Sequence, residues 1–223
     1  MTEIESLIQI TIRTLQVSGA ALALSGLLGI PGGAALALGR FPGRRLLILL
    51  TYSGMGLPPV VVGLAVYLLL SRSGPLGGLG WLFTPAAMVA AQTVIALPLV
   101  AGLTLAAVDA VDPRLRLQLR SLGAKSDQEV RALLWEARPG VAAALIAGLG
   151  GILSEVGAAM LVGGNIEGST RVLSTAIVLV TRQGEFGLAL GLGGVLLGLT
   201  GLLTAALLRL QRRPGAWPQC SGR

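Results

Sequence analysis

Apolar runs alternate with short charged segments along the 223 residues. A membrane span needs about 20 mostly apolar residues. Five runs qualify, at 15–38, 46–70, 85–108, 139–162 and 188–208, the first extending back toward Leu7. Pro58-Pro59 falls in the middle of the second run and Pro98 inside the third. Prolines there break backbone hydrogen bonds, which leaves either a packing kink or polar backbone groups beside a path. The predicted fold class is all-α, a polytopic transmembrane helical bundle with five core spans. A single membrane domain is expected over 1–213, followed by a tail at 214–223.

The long polar interval, 109–138, lies between the third and fourth runs. Its pattern predicts two short helices. Asp112 suits an N-cap and Pro113 the first helical position, where a missing N–H costs nothing. Leu115, Leu119 and Leu122 fall at i, i+4 and i+7 and predict one apolar face. Gly123 stands where a helix end takes the left-handed conformation, followed by Ala124. Ser126-Asp127-Gln128-Glu129 has the spacing of a capping box for the next helix. A helix with such a face suits either partner docking or rest on the bilayer surface, and the pattern alone fits both.

Composition strengthens the membrane reading. The chain is 53% hydrophobic and 12% charged, against about 25% charged in soluble domains. It holds 33 glycines. Gly187, Gly191, Gly193, Gly194, Gly198 and Gly201 in the fifth run read as a surface for close helix packing. The acidic start, Met1-Thr2-Glu3-Ile4-Glu5, lacks the basic region of a cleaved leader, so the first run is read as an uncleaved span.

Charge then sets orientation. With five spans, thirteen of the seventeen Lys and Arg residues fall on one side, including Arg40, Arg44, Arg45, the six of the polar interval and those from Arg209 onward. Arg13, Arg72, Arg171 and Arg182 fall on the other. The positive-inside rule places the N-terminus outside and the tail in the cytoplasm of a multi-pass plasma-membrane protein. The net charge of +7 comes without any nucleic-acid-binding pattern, so no nucleic acid partner is expected.

The chemistry available is narrow. The chain has no His and one Cys, Cys220, which excludes a His-based or Cys-rich metal site. Lys125, the one lysine, follows Gly123-Ala124 and not a phosphate-binding loop, so ATP is not bound by that route. No hydrolase or metalloprotease motif occurs, and no enzyme activity or cofactor is expected of the chain itself. Glu155 is the one carboxylate deep in an apolar run, about 24 Å from its inner end at 1.5 Å per residue. Such a group binds a cation, relays a proton, holds an outer gate, or makes an ordinary interhelical hydrogen bond. Gln92 and Thr93, shortly before Pro98, are polar groups suited to a shared cavity. Trp81 and Phe83 suit an interfacial anchor, and 171–180 suits a short helix at the outer surface.

The interval from Asp112 to Pro139 resembles the signature loop of importer-type ABC transporter permeases. In that family a Glu-Ala-Ala, three residues and a Gly, followed by a spacer ending in Leu-Pro, form a coupling helix that docks on a separate ATPase. Gly123 matches the glycine and Val111-Asp112-Pro113-Arg114-Leu115 the lead-in. Leu117-Gln118-Leu119 replaces Glu-Ala-Ala, and Trp135-Glu136-Ala137-Arg138-Pro139 replaces the ending. Leu57-Pro58-Pro59-Val60-Val61-Val62-Gly63 and Ala96-Leu97-Pro98-Leu99 look like permeases of the molybdate, tungstate and sulfate group. Ser154-Glu155-Val156-Gly157, Val162-Gly163-Gly164-Asn165-Ile166 and Thr170-Arg171-Val172-Leu173 are similar to the tungstate branch.

The resemblance implies a type I ABC importer permease for tungstate, working as a homodimer in membrane lipid. Its implied partners are an ABC ATPase subunit, which binds the ATP, and an extracytoplasmic oxyanion-binding protein. Asp112, Pro113, Leu119, Leu122, Gly123 and Ala124 are the expected coupling residues. Thr93, Ser154, Glu155 and Asn165 are the expected pathway or gate residues, with Glu155 held by hydrogen bonds or by a cation such as Arg171. A molybdate or sulfate permease is the alternative. An ion-coupled carrier using Glu155, or a membrane scaffold, lies further off.

Overall fold

The computed structural model describes residues 3–211, and side chains over 6–209. The expected tail at 214–223, with Cys220 and Arg223, and the basic pair Arg212 and Arg213 lie outside the described residues. Among the described residues there are helices and turns and no strand. The α-helices are α1 (Glu3–Leu38), α2 (Arg44–Met55), α3 (Pro59–Leu70), α4 (Pro85–Asp109), α5 (Pro113–Ser121), α6 (Ser126–Glu136), α7 (Arg138–Ser154), α8 (Gly157–Gly163), α9 (Leu173–Arg182) and α10 (Phe186–Gln211).

By length and composition α1, α4 and α10 can each cross a membrane, and up to five spans result if each of two bent pairs counts as one. The run at 46–70 is not one helix. It divides into α2 and α3, which meet at 106°. Pro58 is extended, at φ −61° and ψ 121°, because the ring of Pro59 excludes the helical conformation from the residue before it. Pro98, by contrast, sits inside an unbroken α4. The run at 139–162 also divides, into α7 and α8, with Glu155 extended between them. α6 and α7 meet at 70°.

The centre of the bundle is α4, packed against α1, α2, α3, α7 and α8. Small residues set these contacts. A Cβ on Gly33 of α1 would collide with the Ala101 carbonyl of α4, and one on Gly63 of α3 would lie 2.6 Å from the Ala158 Cα of α8. Val62, Val66, Met88, Ala91, Ala159 and Val162 fill the core between α3, α4 and α8. The glycines of α10 pack on no other helix among the described residues. A Cβ on any of Gly187, Gly191, Gly193, Gly194, Gly198 or Gly201 would meet nothing within 4 Å. The flanking Leu190, Leu197 and Leu202 are more than 70% exposed. Close packing among the described residues therefore falls to glycines of α1, α3, α4, α7 and α8, and most of α10 presents an open apolar face.

Candidate functional site: a charged elbow and a broken helix

Two regions hold the residues singled out above. The first is the α5–α6 elbow. Its start is built as the sequence predicts: the Asp112 carboxylate accepts from the Arg114 N–H at 2.8 Å, and Pro113 opens α5. Its end is a left-handed cap, with Gly123 at φ +79° and the Ala124 N–H reaching back to the Leu119 carbonyl at 3.0 Å. The predicted apolar face is corrected. α5 stops at Ser121, and Leu122, its C-cap, still donates to the Gln118 carbonyl at 3.1 Å but is 84% exposed. Leu115 and Leu119 are half-buried, and the outward apolar residues are Leu117, at 67% exposure, and Leu122. The second cap also shifts by one residue: the Lys125 N–H donates to the Gln128 side chain at 2.9 Å, which leaves Glu129 free for another task.

That task is an ion cluster. Glu129 is 8% exposed and takes two guanidiniums. Arg120 donates to both carboxylate oxygens, at 3.0 and 3.3 Å. Arg116 donates to Oε1 through Nε and to the Leu38 carbonyl at the end of α1 through Nη2, at 3.3 Å. The Arg120 hydrogen bonds foremost, with Arg116, hold the Glu129 carboxyl below its ordinary range, against burial, which pushes it up. Arg138 lies over the half-exposed Trp135 ring, 4.8 Å from its centroid, at the joint into α7.

The second region is the break between α7 and α8. Glu155 is buried, and its Oε1 accepts from the Ala158 N–H at 2.7 Å, capping α8. The expected pairing with Arg171 is not formed: Arg171 pairs with Glu167 at 3.3 Å. A local backbone donor lies closer to the carboxylate than any cation, and the next element is built on it. The Glu155 carbonyl accepts from the Ser174 hydroxyl at 3.2 Å. α9 is thus held to the bundle by its first turn. Leu173 to Ala176 are buried, and the Leu173 N–H donates to the Thr14 hydroxyl of α1 at 2.9 Å.

The other pathway candidates separate. Ser154 is exposed and bonds back to the Gly151 carbonyl. The Thr93 hydroxyl bonds back to the Val89 carbonyl within α4. The Gln92 Oε1 is buried with no hydrogen-bond partner among the described residues. Asn165 follows left-handed Gly164 with φ +50°, and its Oδ1 is also buried and unpartnered. Thr170 closes that turn by donating to the Gly163 carbonyl and accepting from the Ile166 N–H. Phe83 is more than an anchor: its N–H reaches the Val162 carbonyl at 2.9 Å and its ring packs edge-on to Tyr67. Beyond the turn, a cavity of about 570 Å³ opens between α1, α9 and α10, lined by Arg13, Glu167 and Arg171 together with Leu179, Leu188 and Leu192.

A family model described as the binding-protein-dependent transport system inner membrane component matches residues 29–213. The chain belongs to this family. A probable anion ABC transporter permease protein of Haloferax volcanii is 43% identical to this permease over 86% of its chain and 85% of the relative. The tungstate uptake system permease protein TupB of Peptoclostridium acidaminophilum is 36% identical over 87% of this chain and 86% of its own. The molybdenum transport system permease protein ModB of Escherichia coli K12 is 30% identical over 81% and 83%. In fold, the permease matches the membrane chain of the inward-facing MetNI methionine ABC transporter, with a TM-score of 0.75 at 23% identity, over 96% of this chain and all of that one. The fold is therefore the all-α, polytopic type I ABC importer permease bundle.

Three features of this permease were not read from the sequence. Glu129 as the anchor of two arginines was hidden by its apparent place in a capping box. The signal lay in Arg116 and Arg120, spaced i, i+4 on one helix face, with a carboxylate across the turn. Thr14 and Thr170 had no signal in spacing, because the groups they bind are backbone atoms of distant or turning chain.

Proposed function

We propose that the chain is the membrane subunit of an ATP-driven importer that takes up tungstate. Two copies pair in the plasma membrane above two ATPase subunits, and an extracytoplasmic binding protein delivers the oxyanion. The oxyanion class is supported by the anion, tungstate and molybdenum permeases among the relatives; tungstate is favoured because the TupB relative is more similar than ModB. The elbow then lies in the cytoplasm, with the outward Leu117 and Leu122 offered to the ATPase. Asp112, Pro113, Gly123 and Ala124 fix its two ends, and Leu119 lies half-buried between them. The broken helix around Glu155, with Ser154, Asn165 and Thr93, belongs to the pathway or its gate. Glu155 acts there as a cap and not as a ligand, since a carboxylate repels a dianion. The open face of α10 and the exposed leucines of α2 are available to lipid and to the second copy.

The observation that carries this reading is the pair of apolar side chains, Leu117 and Leu122, held outward on a capped and charge-clamped helix. The test is ATP hydrolysis in proteoliposomes holding the chain with its ATPase and binding-protein partners. Tungstate-loaded binding protein should stimulate hydrolysis at lower concentration than molybdate- or sulfate-loaded protein. Stimulation by molybdate or sulfate instead keeps the architecture and replaces the substrate. Ion-driven flux through the purified chain alone, without stimulation, defeats the importer reading.

A further inference from the structure

The end of α1 has a complete hydrogen-bond account. The last four carbonyls of a helix have no partner within it. Here Ala35 accepts from the Gly39 N–H at 2.8 Å. Leu36 and Ala37 accept from Arg44 at 2.6 and 3.2 Å. Leu38 accepts from Arg116 at 3.3 Å. Three of the four are held by guanidiniums, one from the first residue of α2 and one from α5, at the negative end of the helix dipole. Arg116 is the shared member. Its fork lets one side chain hold two acceptors in fixed geometry, and the other acceptor is the buried Glu129 of α6. The cluster has an electrostatic reason to reach α1: Glu129 neutralises one of its two arginines, and the remaining charge faces the partial negative charge of the α1 terminus.

We propose that Arg116 is a positioning residue that ties the α5–α6 elbow to the inner end of α1, so that a displacement of the elbow is delivered to α1 as well as to α7. This rests on the importer reading and deepens it. α6 runs through the 70° joint into α7, and both α1 and α7 pack on α4. One push at α5 therefore acts on the central helix from two sides. Arg120 shares the Glu129 clamp but has no bond to α1, which makes it the internal control. A clamp that merely held the elbow together would make the two arginines equivalent.

The experiment is the ratio of tungstate transported to ATP hydrolysed in proteoliposomes of the full complex, for wild type, Arg116→Ala, Arg116→Lys and Arg120→Ala. Arg116→Ala should lower the ratio about 5-fold or more, and Arg116→Lys, which keeps the charge but not the fork, should fall between. Arg120→Ala should stay within about 2-fold of wild type. The same complexes report movement directly. In a Cys220→Ser background, spin labels at Arg40 and Gln118, in chains diluted with unlabelled ones, should keep their distance between nucleotide-free and ATP-trapped states. With Arg116→Ala that distance should change, a readout that survives a variant of lowered stability. Equal losses of coupling for Ala at both positions, or a label distance indifferent to Arg116, overturns the tie. Wild-type complex without stimulated hydrolysis fails earlier and overturns the importer reading with it.

Discussion

The elbow and the broken helix use opposite means to hold a bend in the chain. At the elbow, two arginines of α5 converge on one buried carboxylate of α6. At the break, α3, α7, α8 and α9 meet around Glu155 with close-packed Gly and Ala residues and backbone caps. The single carboxylate there is held by a backbone N–H, and no cation bonds to it among the described residues. Ion pairs suit a surface segment that must move as a unit, since a guanidinium fork fixes the geometry of the groups it joins. Backbone caps and sub-van der Waals clearance for a methyl group suit a place where helices must keep contact through an apolar medium. The two regions should therefore fail differently when changed.

The largest effect is expected where clearance is smallest. Gly63→Leu drives a side chain into the Ala158 backbone and should cost about 3 kcal/mol, seen as a lowered melting temperature of the purified chain. Gly194→Leu, on the open side of α10, should leave the chain's own melting unchanged. Equal losses at both would mean that α10 is as closely packed as α3, and the contrast between the two faces would fail.

Next comes the elbow. Glu129→Gln removes a charge-assisted acceptor of two arginines and should cost about 2 kcal/mol. The loss should appear as faster hydrogen exchange over 113–136, with α8 unaffected. Acid should imitate it. The folded Glu129 carboxyl lies below its ordinary value of 4.5, so the clamp contributes fully above that pH and is lost as pH falls through the lowered native value. Protection of α5 should therefore drop with acid in the wild type and stay flat in Glu129→Gln. A parallel drop in both would assign the acid effect to other groups.

Much of the fold was legible because bilayer physics writes itself into composition: long apolar runs and prolines at a break. Asp112, Pro113 and Gly123 were legible because caps depend on the residue at the position. What escaped depended on contacts between distant segments. Leu119 and Leu122 share a helical spacing, but no other described segment covers Leu122 at the end of α5. The α10 glycines match a packing pattern, yet no helix among the described residues lies across them. α9 reads as an amphipathic surface helix, and its burial follows from the Thr14 and Glu155 bonds that catch its first turn.

Glu155 gives the smallest and sharpest distinction. A carboxylate inside an apolar run invites an electrostatic role, but the bond it makes requires an acceptor, not a charge. Glu155→Gln keeps an acceptor at the same reach, and its stability should stay within a few tenths of a kcal/mol of wild type. Glu155→Ala leaves the Ala158 N–H unmet in a buried place and should cost about 1 kcal/mol. Melting of the three proteins at neutral pH separates the cases. If Gln falls as far as Ala, the negative charge itself holds α8, and the break would resemble the elbow after all. If Gln is neutral while Ala falls, the break is held by geometry, and its bend persists through any change in the charge of what passes by.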